Sequence, residues 1–343
     1  MEKLIAPIAK TLNISLSQVK NTLNLLSEGN TIPFIARYRK EVTKDLDEEQ
    51  IRYIDEQYQY QKNLLKRKED VKRLIETQGK LTEDLVKQID VCESLASVED
   101  IYRPYQQKRK TRATDAIAQG LNPLAQWILT CPKEGSIETE ANKYLNESIT
   151  TIEEALQGAK DIIAEVVSDD ALLRKLIREH MMSEAKITVK LMKHAIDEKK
   201  TYRVYYNYTE RCSNMAAHRI MAINRGEREK ILDVSMEYQR ERFATYQFNQ
   251  MTKNEVSIVN QLIDEAIRDG LKRLVFPSLE REIRSSLTDK AQEKSIDVFS
   301  SNLERLLSSV PMKDSIILGL VLPIERDVNW LSSINQVNSY TLM

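Results

Sequence analysis

Turn-forming residues are scarce in this chain of 343 residues, which contains 8 glycines and 8 prolines. Sheets need frequent turns, so this scarcity favours long helices. Aromatic residues make up only 6% of the chain, which leaves a core built mainly from Leu, Ile, Val and Ala. Charged residues make up 30%, as expected for amphipathic helices with one face in water. The composition therefore predicts a mainly α-helical fold.

The chain also has few cysteines, almost no net charge and no long apolar run near its start. The 3 cysteines, Cys92, Cys131 and Cys212, are odd in number and far apart, a pattern typical of a reducing compartment. The formal net charge is −1, from 51 basic and 52 acidic residues, so nucleic-acid binding would need local cationic patches. No early apolar run is long enough for a signal peptide or a membrane span. We therefore expect a cytoplasmic protein.

Signatures of catalysis are missing as well. His180, His194 and His218 have no metal-ligand spacing with each other or with a cysteine. The chain has no Walker loop, no Rossmann glycine signature and no GxSxG elbow. We expect a protein that is not an enzyme and that uses neither a cofactor nor a metal.

Apolar periodicity predicts where helices begin and end. A stripe of apolar residues three and four apart predicts a first helix: Leu12, Leu16, Val19, Leu23 and Leu26. Ser15 or Ser17 is predicted to cap this helix, and Gly29 to end it. A second stripe, preceded by Thr43, predicts a helix of about 30 residues from about Leu46, with Gly79 as its stop. Further helices are predicted to begin at Thr82, Pro123, Ile152, Asp170 and Ser183, and to cover residues 254–269 and 287–307.

Two short segments favour strands instead. Residues 225–228, Arg-Gly-Glu-Arg, are interpreted as a glycine turn, and the alternating run that follows predicts a short β element near 229–236. The apolar run at 315–320 has the length of a strand but no visible partner.

The stretch IYRPYQQKRKTRAT is the best candidate for nucleic-acid contact. Its five cations have no acid among them, and two tyrosines are interleaved: Arg103, Lys108, Arg109, Lys110, Arg112, Tyr102 and Tyr105. The cations can neutralise phosphates while a tyrosine ring stacks on an unpaired base. The alternative is a solvated loop between helices, with the tyrosines packed beneath it.

Three other groups favour structural interpretations. On the long helix, cations and acids mix at helical spacing, as in a solvated face with salt bridges worth about 0.2–0.5 kcal/mol each. Near the start, Arg37, Arg39 and Lys40 are expected to pair with Glu41 or with acids of the next helix. Four tyrosines precede His218 and form either a stacking platform or an amphipathic seam between domains: Tyr202, Tyr205, Tyr206 and Tyr208.

Three stretches resemble the Tex family of bacterial transcription accessory proteins, counterparts of a eukaryotic transcription elongation factor and histone chaperone. These are NTIPFIARYRKEVTKDLDEEQI, SVEDIYRPYQQKRKTRATDAIAQGLNPLA and HRIMAINRGERE, in that order. The resemblance covers about residues 1–320. It is specific because three long motifs occur in the family's order. The matched positions, none of them catalytic, are Pro33, Phe34, Ala36, Arg37, Tyr38 and Arg39; Tyr102, Pro104, Tyr105, Lys108, Arg109 and Lys110; and His218, Arg219, Asn224, Arg225 and Gly226.

The resemblance implies a helical N-terminal platform with a helix-turn-helix-like region, then an RNase H-like domain of the YqgF type. Helix-hairpin-helix units and a C-terminal S1 domain that binds RNA would follow. Family members owe their nucleic-acid affinity mostly to the S1 domain, which this sequence does not show. The resemblance also implies that the strand near 231–236 leans on the RNase H-like domain, with Arg225 and Glu227 at the corner.

We expect a helical N-terminal region at 1–110, a central helical region with a short β insertion at 111–312, and the first strand of the RNase H-like domain at 313–320. The family then continues DPAYRTGCKLAVI, whereas this chain has VLPIERDVNWLSS from Val321. One permitted coding of that run spells PAYRTGCKLAVI in another frame. We therefore hypothesise that a one-base deletion left 321–343 out of frame, and sequencing the gene tests this.

Three functions are compatible with these features. The first is a non-catalytic scaffold, associated with transcription, that binds RNA or DNA weakly through its cations. The second is a scaffold that docks RNA polymerase or other Tex domains without affinity for nucleic acid. A nuclease is a remote third, because it needs clustered carboxylates on a completed sheet.

Overall fold

The computed structural model describes residues 2–107 and 110–308. Met1–Lys294 and Ser295–Met343 form two compact units. Within the second unit, the described residues continue the helix Phe276–Leu307 to its end. The predicted strand at 315–320 and the predicted out-of-frame segment lie outside the described residues.

Helices make up most of the described chain, and the mainly α fold class is confirmed. The helices are α1 Glu2–Leu12, α2 Leu16–Ser27, α3 Ile32–Tyr38, α4 Lys40–Thr43, α5 Glu48–Glu76, α6 Glu83–Val91, α7 Leu95–Tyr102, α8 Arg112–Ala118, α9 Asn122–Leu129, α10 Ile137–Asn142, α11 Ile152–Ser168, α12 Ala171–Glu184, α13 Ala217–Arg228, α14 Arg240–Thr252, α15 Asn260–Gly270 and α16 Phe276–Leu307. The strands are β1 Lys186–Leu191, β2 Asn207–Arg211 and β3 Leu232–Glu237.

Capping residues explain the ends of the first helices. Ser15 caps α2 through a capping box with Gln18, as predicted for this serine. Asp47, not Thr43, caps α5, which runs for 29 residues as the predicted long helix. The left-handed backbone of Gly79 (φ +67°) follows the end of α5. Leu12 was wrongly placed in the first predicted stripe, because it ends α1 before the turn at residue 13.

The sheet contains two strands, β1 and β2, that periodicity did not predict. Strand order is β2-β1-β3, all antiparallel, with Val189 of β1 opposite both Tyr208 and Val234. The helix predicted at Ser183 is wrong, since α12 ends at Glu184 and β1 begins at Lys186. Residues 187–189 of β1, Ile-Thr-Val, are all buried, and such β-branched side chains favour strands over helices.

The predicted glycine turn at 225–228 is also wrong, because these residues form the last turn of α13. A Cβ on Gly226 would lie 2.5 Å from Cδ1 of Leu232, so glycine lets α13 approach β3. The left-handed residue that reverses the chain is Lys230 (φ 58°). The short β element itself is confirmed as β3, which pairs with β1 of its own unit. Its predicted contact with an RNase H-like domain stays a prediction.

Towards the end of the first unit, the helix predicted at 254–269 is shorter than expected. It begins at Asn260, and residues 253–259 form its connection to α14. Next, a π-helical turn at Leu271–Val275 joins α15 to α16, so the last helix starts at Phe276 instead of residue 287. The helix positions predicted at Thr82, Pro123, Ile152 and Asp170 are confirmed within about two residues.

Three hydrophobic clusters form the core of the first unit. The first cluster packs α1, α2 and α3 against the start of α5, through side chains such as Val19, Ile35 and Ile51. A second joins the end of α5 to α6 and α7. The largest extends from α8 to α16 and includes the inner face of the sheet.

A buried ionic network connects α7, α12 and α16. Arg174 on α12 donates from Nε to Oδ1 of Asp100 on α7 at 2.6 Å, and both side chains are at least 94% buried. One turn later, Nη2 of Arg178 lies 2.7 Å from Oδ2 of Asp100, outside hydrogen-bond alignment, so this contact is an ion pair only. Arg178 also donates from Nε to Oε1 of Glu282 on α16 at 2.5 Å. The positive charges of the two arginines thus balance the negative charges of Asp100 and Glu282.

Network residues lie on both sides of the predicted domain boundary at 110. The compact unit Met1–Lys294 crosses that position, and the boundary itself stays a prediction. A second ion pair, from Nε of Arg103 to Oδ1 of Asp169 at 3.2 Å, also crosses it. Because a buried pair that loses one partner leaves an uncompensated charge, these contacts strongly favour one arrangement of α7 on α12.

We expect Asp100→Asn to lower the free energy of unfolding by about 3–5 kcal/mol, because Arg174 would stay buried without its counter-charge. The measurement is urea denaturation followed by circular dichroism. Asp84→Asn is the control, since Asp84 pairs with Lys87 at 3.7 Å on the surface and should cost less than about 1 kcal/mol. Equal, small losses for both variants would contradict this role of the network.

Candidate nucleic-acid interface

The candidate stretch around residues 102–112 leaves α7, forms a short 3₁₀ turn at Arg103–Tyr105 and enters α8. Thr111 caps α8 through a capping box with Thr114, which fixes where the loop ends. Arg103 is held by Asp169, whose side chain is 13% exposed. Lys108 and Arg109 lie outside the described residues.

The two tyrosines of this stretch pack against the protein. Tyr102 and Tyr105 are half-buried against the cluster of α5, α6 and α7. The guanidinium of Arg67 lies 5.5 Å from the ring centroid of Tyr102, and Gln78 donates to the backbone carbonyl of Tyr105 at 2.8 Å. This placement supports the interpretation of a loop with tyrosines beneath it, and it leaves the cations to make any contact.

Lys110 and Arg112 are the described cations of the loop that face solvent. Nζ of Lys110 lies 3.4 Å from Oδ1 of Asp115, in a pair whose side chains are 83% and 50% exposed. Such exposed pairs contribute little, so this lysine stays available to a phosphate. Arg112 has no ion-pair partner among the described residues. The loop thus offers two solvent-facing cations next to the undescribed Lys108 and Arg109.

On the long helix, several cations are used inside the protein. Arg67 forms a bidentate contact with Glu99 of α7, at 2.5 and 3.0 Å. Lys72 pairs with Asp90 of α6 at 2.5 Å. These contacts agree with the structural interpretation of the helix, and they fasten α6 and α7 to α5.

Near the start of the chain, the motif Ile32–Tyr38 folds as α3, with Ile35 and Ala36 buried. The expected pairing of Arg37 with the next helix occurs only loosely, since its Nε lies 3.9 Å from Oε1 of Glu48. Arg39 instead lies over the ring of Phe34, 5.3 Å from its centroid.

In the tyrosine-rich segment, the hydroxyls bind carboxylates. Tyr202, 3% exposed, donates to Oε2 of Glu229 at 2.8 Å, and Tyr206 donates to Oδ2 of Asp197 at 2.9 Å. Tyr208 donates to Glu210 and packs edge-on against Tyr205. These rings belong to the largest core cluster, which does not suit a stacking platform.

Electrostatic shifts follow from these contacts. Burial and the hydrogen bond to Glu229 raise the pKa of Tyr202 to about 12. Burial and the bond to Glu210 also raise the pKa of Tyr208, and burial with the bond to Asp197 raises that of Tyr206. The bonds from Arg225 and Tyr202 lower the pKa of Glu229. The three hydroxyls therefore stay protonated and Glu229 stays charged at neutral pH.

The third sequence motif lies on α13. His218 is exposed there. Arg219 donates to Glu210 at 2.8 Å, and Asn224 donates to Thr288 of α16 at 2.8 Å. Next along the helix, Arg225 pairs with Glu229 at 2.8 Å. Glu227, at the expected corner, binds Arg284 of α16. The motif thus fastens α13 to the sheet and to α16.

Metal clusters and membrane helices are absent from the described residues. In the part of the chain that the structure covers, no group of three or more His, Cys, Asp or Glu side chains is arranged to hold a metal ion. Across those same residues, no helix combines the length and the apolarity that crossing a membrane requires.

Residues 87–101 of α6 and α7 and residues 171–179 of α12 line an open cleft of about 970 Å³. Asp100 and Arg178 of the ionic network reach it, and the exposed apolar side chains Val91 and Leu172 line it as well. Sequence reasoning missed this cleft and the network. A signal existed on α12, where two arginines four residues apart interrupt an otherwise apolar face.

Together these features define a helical framework in which some cations pair between helices and others face solvent. The Tex-like protein N-terminal domain family matches residues 2–76, and the Tex central region-like family matches residues 133–299. In these two regions the chain belongs to the Tex family.

Curated relatives agree with this assignment. YdcI of Bacillus subtilis is 46% identical over 316 residues, which cover 91% of this chain and 44% of the relative. The transcriptional accessory protein Tex of Neisseria gonorrhoeae is 34% identical over 318 residues, which cover 91% of this chain and 42% of the relative. The human S1 RNA-binding domain-containing protein 1 is 26% identical over 330 residues, 92% of this chain and 33% of the relative. The chain thus spans less than half of the length of these relatives.

The buried hydroxyl of Tyr202 should ionise at a higher pH than an ordinary tyrosine. Since the folded pKa of Tyr202 is about 12 against an ordinary value of 10.0, the unfolded chain ionises first. The stability that Tyr202 contributes is therefore complete below pH 10 and is lost as the pH rises towards 12. Absorbance titration at alkaline pH should show a late phase that shrinks in Tyr202→Phe.

Tyr60→Phe is the control for this titration, because Tyr60 is 36% exposed on α5. It should leave the late phase unchanged. A late phase of the same amplitude in Tyr202→Phe and in the unmodified chain would show that the Tyr202 hydroxyl is not held as described.

Proposed function

We propose that this chain is a non-catalytic helical scaffold of a transcription accessory protein, and that it contacts RNA or DNA weakly through exposed cations. The observation that carries the proposal is a contrast between two sets of cations. Lys110 and Arg112 face solvent two residues apart. Four cations of α5 and α12 instead pair with carboxylates of other helices: Arg67, Lys72, Arg174 and Arg178. The binding would be independent of base sequence, because phosphates carry no sequence information.

Two relatives' names support the association with transcription and nucleic acid. One is a transcriptional accessory protein, and another carries an S1 RNA-binding domain. Both are longer than this chain, so their activities come to it only as part of this proposal. The internal pairing of Arg67, Arg103 and Arg174 supports a framework role, since these cations hold helices together.

A cytoplasmic location is part of the same proposal. The structure describes Cys92, Cys131 and Cys212 as free thiols, in keeping with a reducing compartment. Burial raises the pKa of the Cys212 thiol to about 11, which keeps it protonated and unreactive at neutral pH.

A salt series tests the phosphate contacts. We expect affinity for a labelled single-stranded RNA to fall steeply between low and physiological salt, because counterions compete for each phosphate. The double variant Lys110→Glu, Arg112→Glu should bind more weakly. Its slope of log K against log salt should be shallower by about 1.4, because each of the two cations accounts for about 0.7 of the slope on a single strand.

A matched control changes the net charge equally elsewhere. Lys193→Glu, Lys199→Glu reverses two exposed lysines of the loop after β1 and should keep the affinity and slope of the unmodified chain. If both double variants lose the same affinity and slope, the effect is one of net charge, and the assignment to Lys110 and Arg112 fails.

The alternative function is a docking scaffold for RNA polymerase or other Tex domains without affinity for nucleic acid. The cleft between α7 and α12 favours it, because exposed Val91 and Leu172 offer apolar surface beside charged groups. A protein complex that survives high salt, together with no shift of RNA in a gel, would replace the first proposal by this one.

A further inference from the structure

An exposed aromatic pair stands on α3, away from the loop at residues 102–112. Phe34 is 36% exposed and Tyr38 is 64% exposed. Their ring centroids are 5.3 Å apart, with the ring planes inclined by 44°. Among the described residues, the hydroxyl of Tyr38 has no hydrogen-bond partner. It thus differs from the hydroxyls of Tyr202, Tyr206 and Tyr208, which bind carboxylates.

The sequence places this pair outwards. Ile35 and Ala36 are buried against the first core cluster, so the opposite face of α3 must meet solvent. Phe34, Arg37 and Tyr38 are three and four residues apart, which puts them on one side of the helix. Neighbouring exposed aromatics, unlike single scattered ones, are typical of interaction surfaces.

Cations surround the pair. The guanidinium of Arg39 lies over the Phe34 ring, 5.3 Å from its centroid, and Arg37 and Lys40 are exposed. Residues 30–40, NTIPFIARYRK, contain no acid. Glu41 follows Lys40 directly in the sequence. Arg37 has a counter-charge in Glu48, whose Oε1 lies 3.9 Å from its Nε in a pair that is 66% and 41% exposed. Such a pair is weak enough to open for a phosphate.

We propose that α3 and the residues that follow it form a binding site for single-stranded nucleic acid. A base would stack on the ring of Tyr38, with Phe34 as its support, while Arg37, Arg39 and Lys40 hold the adjacent phosphates. Stacking requires a base face that a duplex keeps covered, so the site selects single strands. It depends on the proposed nucleic-acid association but uses other residues and another type of contact.

Charge favours a nucleic acid over a protein as the occupant. A polyanion with exposed ring faces complements a surface on which two aromatics lie beside three cations. A protein surface would match only the aromatic part or only the charged part, unless it were itself acidic and aromatic. Binding measurements on single-stranded and duplex RNA separate these two occupants.

The experiment measures the affinity of the whole chain for a fluorescein-labelled oligouridine and for duplex RNA of equal length. Tyr38→Ala should lower the affinity for the oligouridine about fivefold or more, the effect of losing one stacked base. Phe34→Ala removes the support of the Tyr38 ring and should also lower this affinity. Neither should change duplex binding. The salt slope should stay that of the unmodified chain, since every cation that meets a phosphate is retained.

Conservative and distant variants serve as controls. Tyr38→Phe keeps the ring and should bind like the unmodified chain. Tyr60→Ala removes a ring exposed by 36% from α5 and should also bind normally. Because Tyr38 is exposed, Tyr38→Ala should retain the thermal midpoint of the unmodified chain, which excludes unfolding as the cause of lost affinity.

Failure of this inference can be told apart from failure of the proposed function. If the unmodified chain binds oligouridine and Tyr38→Ala binds it equally well, only the α3 site is wrong. If Tyr38→Ala loses affinity for oligouridine and for duplex RNA equally, the inference is also overturned. The same holds if Tyr38→Ala keeps its RNA affinity but no longer binds a protein partner. If the unmodified chain binds no RNA even at low salt, both proposals fail.

Discussion

The carboxylate of Asp100 lies between two guanidinium groups, and the closer pair, with Arg174, is at least 94% buried on both sides. Arg174 and Arg178 present these groups from successive turns of α12, and Glu282 of α16 balances the second charge. Because a buried charge without its partner costs several kcal/mol, α7, α12 and α16 have one favourable arrangement. The placement of α5 and α6 follows, since Arg67 and Lys72 join α5 to α7 and α6.

This constraint explains how the chain distributes its charge. Basic and acidic residues nearly balance, at 51 and 52, and many of them pair across helices. Two exposed patches bear on binding: Lys110 with Arg112, and the aromatic and basic surface of α3. A nearly neutral protein of this kind would bind nucleic acid only at such patches, with an affinity that depends on salt. The two family regions, residues 2–76 and 133–299, lie on either side of Asp100.

Local signals in the sequence located half of the described helices, because capping residues act within a few positions of each end. Ser15, Thr82 and Asp170 lie at the predicted N-termini. Strand β1 was missed because its three buried residues do not alternate: the strand lies at the centre of the sheet. Gly226 was misread as a turn because its role, the approach of α13 to Leu232, depends on a tertiary contact.

The candidate sites were harder to predict for the same reason. The sequence shows that Arg103 and Lys110 belong to one cationic stretch, but only the fold shows that Asp169 holds Arg103. The fold alone also shows that Arg39 lies over Phe34 instead of pairing with an acid. Asp100 is 74 residues from Arg174, so no local pattern could connect them.

Native-state hydrogen exchange of the backbone amides tests most directly whether the ionic network positions the helices. If the network holds α7 on α12, the slowest amides of both helices should open with the same free energy, as one cooperative unit. If the amides of α7 open at a much lower free energy than those of α12, the contradiction is direct: Asp100 and its two arginines do not hold the framework together.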